Sequence, residues 1–298
     1  MMEYGYEALH GAGEDKGSLL GTVTGIFLGI ESNDWQDIVK ASPMARSVYA
    51  ATGASLSIAA GRLSFCLGLQ GPCCSYGTAC SAALTANHGA MRALQLNECS
   101  EGLVMGVTLM MLPSVGITFA TAGMLSTLGH CHTFDKRADG YARGEACCAM
   151  TLRASEGKAP ALFGIAGSSV RQDGKSASLT APNGQAQQAL LQSALASASL
   201  QIEQLACVEA HGTGTALGDP IEMRSLCSAL GDGRSRVTVG SVKANAGHAE
   251  PGAGFGGMVC LLMAVRDKMV APNIQLRAMN PHVSQALGGI NANIGTQT

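Results

Sequence analysis

Short apolar runs and amphipathic stretches alternate along most of this chain, and this alternation restricts its fold more than any other feature. The expected strands cover 21–30, 71–75, 103–112, 144–153, 162–170, 206–210 and 237–242. The expected helices cover 3–11, 34–41, 55–66, 81–96, 185–199, 221–230 and 252–266. Strands and helices in this order predict an α/β fold, in which helices cover both faces of buried strands.

The composition agrees with a large folded core. The chain has 298 residues, of which 47% are hydrophobic and 13% charged, a balance that argues against disorder. A polar stretch at 153–158 marks the expected seam between two halves, 1–155 and 156–298. The formal net charge is −2 and no basic block is present, which argues against a nucleic-acid partner.

The eleven cysteines follow no disulfide or zinc pattern, since none forms a CxxC pair and the adjacent pairs at 73–74 and 147–148 have a poor spacing for either role. We interpret most of them as small buried hydrophobic residues in a reducing compartment, which predicts a cytoplasmic location. His130 and His132, on either side of Cys131, suggest a metal only weakly, so no metal site is predicted.

Residues 102–129 carry no charge, and this length could span a bilayer. Pro113 and several glycines interrupt the stretch, and the alternative is a buried strand followed by an interface. The beginning of the chain also lacks the features of a signal or transit peptide. We therefore predict no membrane insertion.

Cys80 is the candidate nucleophile. It lies in a turn of small residues, 77–84, that leads into an expected helix. The N–H groups and dipole at a helix start favour a thiolate over a thiol. For Cys80 alone, a buried cysteine in a tight helix–sheet contact is the simpler interpretation, but two histidine motifs downstream favour the nucleophile.

Those two histidines lie in glycine-flanked turns. His211 ends an expected strand, and His248 follows the next one. Sites in open α/β sheets form at the carboxyl ends of strands, and a cysteine with two histidines suits thioester chemistry. A histidine that merely stabilises its turn is the alternative for His211. Lys243, between an apolar strand and His248, is expected to be buried and to organise charge.

Three further features receive structural interpretations. Asp219 is the expected cap of the helix that begins near Pro220, and Glu222 belongs to the same helix start. Residues 252–257 match the GxGxxG dinucleotide pattern, but they do not follow a strand directly, so close helix packing explains these glycines better.

Six blocks in the expected order resemble the β-ketoacyl synthases of polyketide and fatty-acid synthesis, which belong to the thiolase-like superfamily. The likeness is greatest to the ketosynthase domains of modular polyketide synthases. The blocks are 3–9, 78–81, 134–145, 172–184, 209–222 and 240–250.

The resemblance implies a thiolase-like α/β fold, five-layered αβαβα with two similar halves, and a homodimer. It implies acyl and malonyl-type thioesters as substrates, carried on the phosphopantetheine of an acyl carrier protein. Thr213 and Thr215 correspond to positions that contact the phosphopantetheine arm.

By the same resemblance, Cys80 takes the acyl chain, His211 and His248 serve decarboxylation and condensation, and Lys243 supports His248. The acyl group would bind the thiolate, and the malonyl-type group would lose its carboxylate to give an enolate that attacks the acyl carbon. This chemistry needs no metal or redox cofactor.

Some positions depart from the family pattern. Gly77 stands where an acid is usual. The family's opening strand and its C-terminal GFGGxNxH block are both absent from the sequence, so the chain is expected to be truncated at both ends. The alternative function is therefore a truncated, non-catalytic module that binds carrier protein or a partner subunit. A nucleotide-dependent oxidoreductase is a third hypothesis, based only on the glycines at 252–257.

Overall fold

A computed structural model describes residues 1–31, 34–154, 161–231, 237–288 and 292–296. The chain divides into two compact units that are each discontinuous in sequence. The first contains 1–114, 144–161 and 249–256, and the second contains 115–143, 162–248 and 257–298. Most of the predicted seam at 153–158 lies outside the described residues.

The first unit is built on a four-stranded sheet of order β2-β1-β3-β4. The central strands pair in parallel, and β4 runs antiparallel to β3. The strands are β1 (Thr24–Gly29), β2 (Cys73–Tyr76), β3 (Glu101–Thr108) and β4 (Ala146–Arg153). The helices are α1 (Met2–Gly11), α2 (Lys16–Leu19), α3 (Asp34–Lys40), α4 (Ala50–Ala54), α5 (Leu56–Leu67) and α6 (Ala82–Gln95).

The core of the first unit lies between this sheet and its helices. Every residue of β1 and β3 is buried, as expected for central parallel strands. Leu9 of α1 and Leu63 of α5 are completely buried in the same apolar cluster as Ile26 and Met105. Burial of these apolar faces is the main force that assembles the unit.

Strand β3 ends earlier than predicted. The apolar run at 103–112 predicted a strand to Leu112, but the strand ends at Thr108. Beyond it, side-chain carboxylates accept the backbone N–H groups: Glu145 binds Met110 at 2.7 Å, and the buried Asp34 binds Leu112 at 2.9 Å. The amides that a further ladder would use are therefore already satisfied.

The second unit contains a three-stranded parallel sheet of order β5-β6-β7. Its strands are β5 (Cys207–Glu209), β6 (Val237–Gly240) and β7 (Ala292–Ile294). Its helices are α8 (Gly184–Ala198), α9 (Gly218–Leu230), α10 (Lys243–Ala246), α12 (Pro281–Leu287) and the greater parts of α7 (Ser114–Thr121) and α11 (Ala253–Asp267), which both begin in the first unit. The core centres on Phe134 and Met223, both completely buried, with Val239 of β6 and Val283 of α12.

The predicted strand at 162–170 is wrong. No described residue pairs with this segment in a sheet, and its side chains at Leu162 and Val170 are exposed. The apolar run satisfied the sequence pattern of a strand, but a strand also needs a hydrogen-bonded neighbour.

The uncharged stretch at 102–129 contains most of β3 and all of α7. Among the described residues, no helix has both the length and the apolar character needed to cross a bilayer.

Gly29 at the end of β1 gives the first testable prediction. An alanine Cβ there would lie 2.5 Å from the backbone nitrogen of Ala83 in α6, so the helix and the strand would have to separate. We expect Gly29→Ala to lower the free energy of unfolding by ~1–3 kcal/mol, the usual cost of overpacking. Urea unfolding followed by circular dichroism measures this change.

Gly61→Ala is the matched control. Gly61 lies inside α5, and nothing lies within 4 Å of an added Cβ there beyond the helix's own backbone. This substitution should raise the free energy of unfolding by ~0.5–1 kcal/mol because alanine restricts the unfolded chain and favours helix. Similar effects of the two substitutions would contradict the close packing of β1 on α6.

Candidate active site

Cys80 lies in a tight turn in the first unit. A 3-10 turn, Ala79–Ser81, connects the region after β2 to the first residue of α6. Ala79 has a φ of +49°, a left-handed conformation that is uncommon for a residue with a side chain. The Ser81 hydroxyl donates to the Thr78 carbonyl at 2.7 Å and so closes the turn. Strained backbone of this kind occurs often at functional sites.

Small residues hold the start of α6 against the sheet. Ala82 and Ala83 are completely buried. An added Cβ at Gly106 of β3 would lie 2.7 Å from the Ala83 Cβ, so glycine is needed beneath the helix. The half-buried Cys80 is therefore presented at the N-terminal end of α6, as the sequence predicted.

The second unit brings the two histidines together. His211 follows β5, and His248 follows β6 by way of α10; these two strands are parallel neighbours, so their carboxyl ends share one edge of the sheet. The ring centroids of His211 and His248 are 5.3 Å apart, with the rings nearly perpendicular at 88°. Residues far apart in sequence thus present two imidazoles in one place.

Carboxylates of α9 shape the backbone around His211. Glu222 accepts the backbone N–H groups of His211 at 2.5 Å and Gly212 at 2.8 Å. Asp219 accepts those of Phe134 at 2.9 Å and Gly214 at 3.1 Å. Burial raises the pKa of Asp219 to about 7, while these amide donors favour its ionised form.

The predicted role of Asp219 as a helix cap is wrong. Helix α9 begins at Gly218, so Asp219 lies within its first turn and its carboxylate binds neighbouring loops instead. Sequence reasoning also gave Glu222 a purely structural role and did not anticipate its bond to the His211 amide. The available signal was the spacing of Asp219 and Glu222, since residues three apart lie on one face of a helix.

Lys243 is buried, as predicted, with 4% of its surface exposed. Burial raises the pKa of the nearby carboxyl groups Glu209 and Glu222, and the positive charge of Lys243 opposes this shift. Glu209 also accepts the N–H of Val242, next to the lysine, at 2.6 Å. The histidine pair therefore stands beside one buried cation and several carboxylates.

Both imidazoles are held in the neutral form. Burial, followed by the charges of His211 and Lys243, lowers the pKa of His248 to about 2. Burial of the ring, followed by the charge of Lys243, lowers the pKa of His211 to about 3. The residue as a whole is solvent-exposed, yet enough protein surrounds the ring to disfavour its charge. A neutral imidazole has one N–H donor and one acceptor nitrogen.

The two threonines of the His211 turn are close together. Thr213 is buried, and its hydroxyl lies 3.4 Å from that of Thr215. The Thr215 hydroxyl also accepts the N–H of Gly218 at the start of α9, at 3.2 Å. Their contact with a phosphopantetheine arm remains a prediction.

The weak metal signal at 130–132 has a structural explanation. The Cys131 thiol accepts the N–H of Ala142 at 3.2 Å and donates to its carbonyl at 3.6 Å. His132 is buried, and its Nδ1 atom lies 3.9 Å from a carboxylate oxygen of Asp139. Its ring stands edge-on to that of His130.

The glycines at 252–257 match the packing interpretation. An added Cβ at Gly254 would meet the Leu84 side chain at 2.5 Å in the first unit. In the second unit, one at Gly257 would meet the Glu209 side chain at 2.9 Å. These glycines allow helix α11 to approach its neighbours closely.

The protonation state of the histidines gives a prediction that needs no substrate. A lowered pKa means that the neutral form persists to more acidic pH, so neither ring should titrate near the ordinary value of 6.5. We expect both sets of ring resonances to stay unchanged from pH 8 to pH 5 in a heteronuclear NMR titration. The reason is that the pKa of His211 is about 3 and that of His248 is about 2, so both rings stay neutral over this range. N-acetylhistidine in the same sample titrates as a free side chain does and serves as the reference. A midpoint near neutrality for His248 would contradict this electrostatic description.

Comparison with known proteins identifies the family. The family model for the beta-ketoacyl synthase N-terminal domain matches residues 1–157, and that for the C-terminal domain matches residues 162–277. The chain belongs to the beta-ketoacyl synthase family. The resemblance inferred from the sequence is therefore confirmed.

Curated relatives of this ketosynthase chain are polyketide synthases. It is 39% identical over 299 residues to erythronolide synthase EryA3 of Saccharopolyspora erythraea, covering 98% of this chain and 9% of that protein. It is 40% identical over 298 residues to the phenolphthiocerol synthesis polyketide synthase type I Pks15/1 of Mycobacterium bovis, covering 98% of this chain and 14% of that protein. The chain thus spans a small part of the length of these relatives.

Solved structures confirm the thiolase-like α/β fold of this ketosynthase chain. The ketosynthase from module 6 of the bacillaene synthase from Bacillus subtilis 168 superposes with a TM-score of 0.90 at 32% identity, covering 99% of this chain and 52% of that one. The oxazolomycin ketosynthase domain OzmH KS7 of a Streptomyces albus strain superposes with a TM-score of 0.91 at 30% identity, covering 99% of this chain and 54% of that one. The chain spans about half of each solved ketosynthase.

Proposed function

We propose that this chain carries out β-ketoacyl-[acyl-carrier-protein] synthesis by decarboxylative Claisen condensation, in polyketide or fatty-acid biosynthesis. The observation that carries the proposal is the pair of neutral imidazoles, 5.3 Å apart at the edge of one sheet. Membership of the beta-ketoacyl synthase family and the polyketide synthase relatives support it.

Cys80 acts first in the proposed reaction. Its sulfur, placed at the start of α6, attacks the carbonyl carbon of an acyl thioester. A new carbon–sulfur bond forms, the old thioester bond breaks, and the departing thiolate takes a proton. The acyl group is then held on Cys80 as a thioester.

His211 and His248 act in the second half of the reaction. A malonyl-type thioester loses carbon dioxide, and the electron pair of the broken bond forms an enolate whose charge lies on the thioester oxygen. Neutral imidazole N–H groups stabilise that charge as it develops. The enolate carbon attacks the acyl carbon on Cys80, and the Cys80 thiolate leaves.

Lys243 and the threonines have supporting roles in the proposal. Burial keeps both imidazoles neutral, and the charge of the buried Lys243 adds to this effect and thereby supports His248. Thr213 and Thr215 bind the phosphopantetheine arm on which an acyl carrier protein delivers both substrates. Because loss of the carboxylate supplies the electron pair, the proposed reaction uses no metal or redox cofactor. We further propose a cytoplasmic homodimer.

Acyl transfer to the purified protein tests the proposal. The protein is incubated with an acyl thioester of N-acetylcysteamine, and the labelled residue is mapped by peptide mass spectrometry. We expect label on Cys80 in preference to the exposed thiols of Cys66, Cys73 and Cys74, which report non-specific acylation.

A non-catalytic module that binds carrier protein or a partner subunit is the second candidate, and acylation of Cys80 distinguishes it from the first. In that case the folded protein would bind carrier protein or a partner subunit but take no acyl label. Binding to phosphopantetheinylated carrier protein without acylation would favour this candidate.

A further inference from the structure

One nitrogen of the His248 ring lacks a hydrogen bond among the described residues. His248 is 4% exposed, and the nitrogen without a partner is Nδ1. In most functional histidines a hydrogen bond to one ring nitrogen fixes the rotation and tautomer of the ring. Packing has to supply that orientation for His248.

Two aromatic rings enclose His248 within the second unit. The Tyr141 ring lies 5.0 Å away at 73°, and the His211 ring lies 5.3 Å away at 88°. Both are edge-to-face contacts within the favourable range of aromatic pairs. His211 is itself assigned to the reaction, so Tyr141, 6% exposed, is the neighbour available for positioning alone.

The backbone fixes Tyr141 relative to His248. The N–H of Tyr141 donates to the Met124 carbonyl at 3.1 Å, and the Tyr141 carbonyl accepts the N–H of Ser126 at 3.0 Å. The next residue, Ala142, accepts the backbone N–H of His248 at 2.8 Å. The same short segment therefore binds the His248 backbone and packs against its ring.

We propose that Tyr141 is a positioning residue for His248, and that its edge-to-face ring contact sets the orientation of the imidazole in place of a hydrogen bond to Nδ1. This inference rests on the proposed function, because the orientation matters for the enolate that His248 stabilises. A ring free to rotate would point its N–H away from the developing charge. Acylation of Cys80 does not involve the enolate that His248 stabilises, so it should not depend on Tyr141.

Tyr141→Leu and Tyr141→Phe test the proposal in the full chain. Leucine fills part of the space without an aromatic face, and phenylalanine keeps the ring without the hydroxyl. Malonyl-N-acetylcysteamine decarboxylation, acylation of Cys80 and the NMR resonances of the His248 ring are measured for each protein.

We expect Tyr141→Leu to slow decarboxylation by about 10- to 100-fold, the cost of a misplaced catalytic group, while acylation stays near the wild-type rate. The His248 ring resonances should shift and broaden as the ring gains freedom. Phenylalanine should restore both decarboxylation and the resonances. Preserved acylation shows that the leucine variant is folded.

Three results would overturn the inference: unchanged decarboxylation in Tyr141→Leu, an equal loss of acylation and decarboxylation, or a phenylalanine variant as impaired as the leucine one. If wild-type protein neither acylates nor decarboxylates, the proposed function fails. The NMR comparison then still decides the role of Tyr141, since unshifted His248 resonances in Tyr141→Leu would refute it.

Discussion

Cys80→Ala should abolish acyl transfer to this protein. Alanine has no nucleophilic atom, and the covalent intermediate cannot form without the thiol. We expect the rate of specific acylation to fall by at least ~10³-fold, as is common when an enzyme's nucleophile is removed. Intact-mass measurement after incubation with an acyl thioester gives the labelled fraction.

Cys66→Ala is the control for Cys80→Ala. Cys66 is an exposed thiol in α5 and is assigned no role in the reaction. The Cys66→Ala substitution should leave acylation unchanged, and circular dichroism can compare the folding of this protein with that of the Cys80→Ala protein. Undiminished acylation of a folded Cys80→Ala protein would show that another thiol is the nucleophile, and the assignment of Cys80 would be wrong.

His248→Ala should separate the two halves of the reaction. Removing one preorganised donor from a developing oxyanion typically costs about 10²–10³-fold in rate. We therefore expect decarboxylation and condensation to fall by about that factor, while Cys80 still takes the acyl group at a comparable rate. Carbon dioxide release and product formation measure the second half, and mass spectrometry measures the first.

His282→Ala is the control for His248→Ala. His282 is exposed at the start of α12, and its backbone N–H donates to Asn280 at 2.9 Å independently of its ring. Its replacement should change neither half of the reaction. Equal losses of acylation and condensation in His248→Ala would instead point to a general structural role for His248.

Most of the secondary structure could be predicted from local sequence, and the reason is visible in particular elements. Strand β1 is a continuous apolar run, and its six residues are all buried. Helix α8 was expected at 185–199 and is observed at Gly184–Ala198. Such elements follow from periodicity and from short-range capping, which depend only on nearby residues.

The errors arose where distant residues decide the local structure. The strand predicted at 162–170 has no pairing partner among the described residues, and β3 ends early because Asp34 and Glu145 bind the amides beyond it. Neither fact is visible in the local pattern. The left-handed φ of Ala79 likewise gave no sequence signal, since glycine is the residue expected there.

The candidate site was likewise predicted in part: the reactive side chains were recognised from the sequence, and the residues that contact them were not. The motifs at 77–84, 209–215 and 243–248 were recognised because small residues and glycines surround a chemically reactive side chain. The support around them was missed: Glu222 binds the His211 amide, and Tyr141 packs on the His248 ring. Glu222 and Tyr141 lie within the recognised blocks 209–222 and 134–145, but a local pattern does not show which atoms their side chains contact.

The amino-acid sequence by itself determined most of the order of helices and strands, the family and the candidate reactive residues, because these depend on patterns within short windows. Tertiary structure alone decided that His211 and His248 stand 5.3 Å apart and that both imidazoles are neutral. The physical reason is that a pKa and a ring orientation depend on the charges and atoms that surround a group in space. For His248 these include His211, which the parallel pairing of β5 and β6 brings to it, and Tyr141, whose segment binds the His248 backbone through Ala142.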